Sequence, residues 1–86
     1  VKSFIVEVRQ RFRVTLDETK FTPEFAEEYE RYIGFMDGIE DHARHLAQLE
    51  ARGIDTTQFV EGYGETAAMG IKVEDLYRET ETEIIE

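Results

Sequence analysis

The chain's 86 residues make one small domain, since an independent core needs roughly 50–200 residues. Twenty Asp and Glu against ten Lys and Arg give a net charge of −10, which repels nucleic acid and anionic lipid and attracts basic partners. The absence of cysteine excludes disulfide stapling, thiolate ligands and cysteine nucleophiles.

Residues 3–16 alternate, with Phe4, Val6, Val8, Phe12, Val14 and Leu16 on one face and Glu7, Arg9, Arg11, Arg13 and Thr15 on the other. This period of two predicts a long strand with its apolar face inward. Thr22-Pro23 then reads as a helix start, with threonine as the N-cap and proline in the first turn. Phe25, Tyr29, Tyr32, Ile33 and Met36 recur at helical spacing and form the expected inward stripe. Glu24, Glu27, Glu28 and Glu30 crowd the remaining faces of that helix.

Gly34 or Asp37-Gly38 breaks the first helix, and Asp37 with Glu40 reads as an acidic capping box for a second. Ile39, Ala43, Leu46, Ala47 and Leu49 carry its stripe, and Arg52-Gly53-Ile54 is a C-terminal stop. Asp55 with Gln58 predicts a short third helix carrying Phe59 and Val60, closed by Gly62-Tyr63-Gly64. Residues 65–70 read as a loop or single turn ending at Gly70.

Residues 71–85 form the last predicted strand, but Ile71 and Val73 share one parity while Leu76 and Ile84 share the other. A bulge near Glu74-Asp75 would turn Leu76 and Ile84 inward and leave Tyr77, Glu79, Glu81 and Glu83 outside. A helical turn over residues 73–78 is the competing reading. The expected fold class is therefore α+β: a single domain over residues 1–86, β-α-α-(α)-β, with long antiparallel terminal strands packed on two or three helices. In that arrangement Arg9, Arg11 and Arg13 pair across the strands with Glu79, Glu81 and Glu83. The pairing fixes register and neutralises the main basic stripe. Residues 1–20 hold five basic and three acidic side chains; the other 66 hold five and seventeen.

Material for catalysis is scarce. Ser3 is the single serine, at the start of a strand, and the abundant carboxylates lack apolar flanks that would bury a pair of them. His42 and His45, three apart on the second helix, could supply two metal ligands, but neither HExxH nor Glu-x-x-His is present. The plainer reading of the two is a partly exposed pair flanking the apolar stripe. Gly62-Tyr63-Gly64 lies between Glu61 and Glu65, lacks a following lysine, and is a turn rather than a phosphate loop. No cofactor is implied.

The run Phe35-Met36-Asp37-Gly38-Ile39-Glu40-Asp41-His42-Ala43, then Ala51-Arg52-Gly53, then Phe59-Val60-Glu61-Gly62-Tyr63-Gly64, resembles small acidic proteins encoded by phages and mobile elements. The resemblance covers about half the chain and implies a small regulator or inhibitor that works by binding. It brings no catalytic residues with it.

The leading expectation is thus a non-enzymatic interaction protein whose acidic helical face engages a basic protein, in one form a nucleic-acid mimic occupying a phosphate-binding groove. Its contact residues would be Glu24, Glu27, Glu28, Glu30, Asp37, Glu40 and Asp41. A metal-binding module or enzyme at His42 and His45, and a small structural subunit of a larger assembly, are the alternatives. With no apolar run of about 18 residues and no signal-peptide pattern, the expected setting is cytoplasmic, without membrane contact. A domain this small also makes a homodimer a candidate.

Overall fold

Pairing between the two ends of the chain organises the molecule. The computed structural model describes residues 1–76 and the backbone of residues 81–84, and it is a small α+β fold. The elements in order are β1 (Val6–Arg9), β2 (Phe12–Thr15), α1 (Pro23–Tyr32), α2 (Ile39–Ala51), β3 (Phe59–Val60), β4 (Gly64–Glu65), β5 (Lys72–Asp75) and β6 (Glu81–Ile84). Short 3-10 turns precede α1 at Glu18–Lys20 and follow β4 at Thr66–Met69.

The long first strand is broken at Gln10-Arg11 into β1 and β2. β2 runs antiparallel to β5, with Val14 opposite Val73 and Arg13 opposite Glu74. β1 runs antiparallel to β6, with Val6 opposite Ile84, Glu7 opposite Glu83 and Arg9 opposite Glu81. Two residues separate β1 from β2, whereas five separate β5 from β6. The register with β2 runs unbroken through Glu74 and Asp75, without the expected bulge there, and residues 73–75 are strand rather than a helical turn.

The charge complement of the terminal strands is realised in part. In the backbone register Arg9 stands opposite Glu81, but Arg13 stands opposite Glu74 and Glu7 opposite Glu83. Arg11 sits at the break, where its carbonyl accepts the Leu76 N–H at 2.9 Å. Glu79 and Tyr77 lie outside the described residues.

The apolar parity holds for half the ribbon only. Phe12, Val14, Leu16 and Val73 are half-buried and Ile71 is buried, because α2 lies against β2 and β5. Phe4, Val6 and Val8, expected inward, are 63%, 50% and 58% exposed. β1 and β6 project as an arm, so the molecule measures 53 × 24 × 18 Å. Its radius of gyration of 15.8 Å exceeds the roughly 12 Å of a compact chain of this length. Leu76, also expected inward, is exposed, since pairing of β5 ends one residue earlier.

α1 starts as the sequence requires: the Thr22 hydroxyl accepts the Phe25 N–H at 3.1 Å and Pro23 opens the first turn. α2 starts differently. Gly38, at φ +84°, is its N-cap and supplies no side chain, and Asp41 reaches back to accept the Asp37 N–H at 2.8 Å. At its end Arg52 caps the helix, Gly53 turns at φ +82° and the Ile54 N–H returns to the Leu49 carbonyl at 3.0 Å.

The expected third helix is instead the β3–β4 hairpin. Asp55 does not cap a helix; its carboxylate accepts the Thr57 N–H and hydroxyl at 2.8 and 2.5 Å, which bends the chain and holds the carboxyl below its ordinary range. Gly62 and Gly64, at φ +92° and +76°, then reverse it within three residues. The core gathers under this hairpin: Tyr29, Leu46, Val60, Tyr63 and Ile71, flanked by Phe21, Phe25, Met36 and Leu49. No helix among the described residues is long and apolar enough to cross a membrane.

Candidate functional site

The acidic side chains of α1 all face solvent. Glu24, Glu27, Glu28 and Glu30 are exposed, and of these only Glu27 has an ion-pair partner among the described residues, Arg31 at 3.9 Å. Glu24 sits at the positive end of the helix dipole and stabilises it. Glu28 lies one turn beyond Glu24, a like-charge spacing that costs an isolated helix about 0.2–0.5 kcal/mol. Helix stability therefore does not explain that row.

Asp37, Glu40 and Asp41 belong to a different arrangement. One Asp41 oxygen holds the Asp37 N–H, and the other accepts from Arg44 Nη1 at 2.6 Å, with Arg44 also 3.6 Å from Glu40. This cluster closes the bare start of α2 and is partly neutralised by Arg44. Glu24, Glu28 and Glu30 thus form an open row on α1, unbridged among the described residues, whereas Glu40 and Asp41 are bridged by Arg44 at the α2 N-terminus.

Beside the open row lies a cavity of about 370 Å³, between the second half of α1 and the turn after β3. Phe25, Tyr29, Tyr32 and Ile33 form its apolar wall, and Glu28 and Glu61 stand at it with Gly62. Tyr32 and Ile33, expected in the inward stripe, are 71% and 43% exposed, because the last turn of α1 runs past the aromatic core. Gly62 makes the close approach possible: a Cβ there would stand 2.6 Å from Tyr29 Cε2 and 3.0 Å from Ile33 Cγ1. The arrangement combines aromatic rings with unbridged carboxylates, the chemistry that receives an ammonium or guanidinium group.

Behind the cavity the rings of Phe21, Phe25, Tyr29, His42 and Tyr63 pack together, with Tyr29 and His42 centroids 4.8 Å apart. His42, expected to be partly exposed, is buried, and its Nδ1 lies 2.8 Å from the Tyr63 hydroxyl. Burial pushes the Tyr63 phenol up, aided by the neighbouring Tyr29 hydroxyl, so it stays protonated. Burial and the nearby His45 push His42 down, so it stays neutral. One hydrogen bond joins the two neutral groups, and the tautomer of His42 sets which of them donates. By geometry the Tyr29 hydroxyl is buried with no hydrogen-bond partner among the described residues.

His45 is half-buried, its ring 6.4 Å from that of Tyr63. No group of three or more His, Asp or Glu among the described residues could hold a metal ion, and the Nδ1 of His42 is already engaged by Tyr63. Sequence reasoning named Glu28 but missed Tyr32 and Glu61 as its neighbours. No spacing signals that residue 61 returns beside residue 28; only the Gly62-Tyr63-Gly64 turn hints at a close approach. No protein-family model, curated protein or solved structure matches the chain.

Proposed function

We propose that this chain is a small non-enzymatic interaction protein that binds a basic partner through the open acidic row of α1. In this reading the cavity beside Glu28 receives one cationic side chain of that partner. The observation that carries it is the pairing of Glu28 and Glu61, neither bridged among the described residues, with the Phe25–Tyr29–Tyr32 wall. A cation over an aromatic face is worth about 0.5–1 kcal/mol at an exposed site and about 2 when desolvated. Glu24, Glu27 and Glu30 would supply the surrounding negative field and steer association. One form of the partner is a protein whose own ligand is a polyanion, whose groove the carboxylate row of a phage-type inhibitor would occupy.

Titration of the isotope-labelled protein with an arginine-rich peptide tests this. Shifts should concentrate on Phe25, Glu28, Tyr29, Tyr32 and Glu61, and affinity should fall steeply with salt. Shifts spread over all acidic surfaces, or an affinity unchanged by salt, would overturn the reading. A second reading, a subunit of a larger assembly, draws support from the exposed apolar side chains of the β1 arm.

A further inference from the structure

The β1–β6 arm is the least self-sufficient part of the molecule. Two-stranded ribbons are marginal in water, and β1 has no strand on its second edge among the described residues. Phe4, Ile5, Val6 and Val8 are each half or more exposed along it. An exposed apolar edge strand is a template for pairing with another chain.

We propose that β1 pairs edge to edge with β1 of a second copy of this chain, antiparallel about a two-fold axis at Val8. The product is a four-stranded sheet in the order β6–β1–β1–β6. The sequence of the strand selects that register. With the axis at Val8, Glu7 faces the second copy's Arg9 and Arg9 faces its Glu7, while the two Val8 residues meet. An axis one residue earlier sets Glu7 on Glu7, and one residue later sets Arg9 on Arg9; like charges directly opposed are destabilising. Glu7 and Arg9 already pair within the strand at 3.2 Å, so the dimer gathers four alternating charges around the axis.

The chain's lack of cysteine makes the test clean. In Val8→Cys the two thiols would face each other across the axis within the Cα spacing a disulfide spans. Oxidation should yield a covalent dimer rapidly, and Thr57→Cys, exposed elsewhere, should not. Sedimentation of the cysteine-free chain should show a dimer, with Glu7→Arg or Arg9→Glu weakening it about tenfold and the Glu7→Arg/Arg9→Glu swap restoring it. A monomer up to near-millimolar concentration would overturn the proposal. So would a dimer insensitive to both reversals, or Val8→Cys crosslinking no faster than Thr57→Cys.

Discussion

The Tyr63 hydroxyl and Nδ1 of His42 share a hydrogen bond of 2.8 Å, tying the turn after β3 to the first turn of α2. The bond joins the element that shapes the cavity wall to the helix that covers β2 and β5. It is buried within a ring of aromatic side chains, where an unmade hydrogen bond is costly. The cavity therefore rests on a fixed floor.

Stability should fall on acidification, and His42 sets part of the fall. Unfolded His42 takes up a proton near its ordinary value of 6.5, whereas burial holds the folded imidazole below that. Between those values the unfolded state binds more protons and is favoured. The contribution of His42 is thus complete above pH 6.5 and is lost progressively as pH drops through it. Chemical denaturation across pH 5 to 8 should show this slope, and His42→Gln, whose amide can hydrogen-bond Tyr63 in either direction, should flatten it.

Removing the Tyr63 hydroxyl should leave Nδ1 of His42 without its partner. Tyr63→Phe is expected to cost about 1–3 kcal/mol, the penalty of an unsatisfied buried polar group. A melting temperature lower by several degrees would register this, since about 1 kcal/mol corresponds to roughly 4–8 °C in a domain of this size.

The elements were legible where local chemistry decided them. Thr22-Pro23 and Arg52-Gly53-Ile54 bound their helices as read, because caps are made by residues adjacent in sequence. The alternation in residues 3–16 predicts strand, but it cannot tell that α2 covers only the half from Phe12 to Leu16, leaving Val6 and Val8 outside. Register failed for a related reason: the unequal spacers around the break move Glu83 opposite Glu7 rather than opposite an arginine. For the site, Glu28 was visible as charge, whereas Tyr32 was misplaced into the core and Glu61 was seen only as a turn residue. Their proximity comes from the hairpin that was read as a helix.

Two glycines in that turn should respond differently to alanine. Both have positive φ, +92° at Gly62 and +76° at Gly64, so each substitution carries roughly 1–2 kcal/mol of backbone strain. Gly62→Ala alone also drives a methyl group into the Tyr29 ring at 2.6 Å, while nothing lies within 4 Å at Gly64. Gly62→Ala should be the more destabilising by about 1–3 kcal/mol. Equal losses in urea denaturation would mean that the close packing of the turn on α1 is absent.

Leu46 is fully buried at the centre of the core. Leu46→Ala should cost about 2–5 kcal/mol, a large share of the stability of so small a domain. Circular dichroism at 37 °C should show substantial loss of structure, and Leu49→Ala, half-buried at the edge, should show less.

The most direct test of binding at the α1 cavity removes the same single charge in every variant and changes only its location. Glu28→Gln, Glu61→Gln, Glu18→Gln and Glu65→Gln each remove one negative charge, all from a chain of −10. Affinity for an arginine-rich peptide, measured by calorimetry at fixed salt, should fall several-fold for Glu28→Gln and Glu61→Gln. It should hold within about twofold for Glu18→Gln and Glu65→Gln, which do not line the cavity and change only the screened field around it. Equal losses for all four would show that charge alone attracts the peptide, and would contradict a site at the cavity.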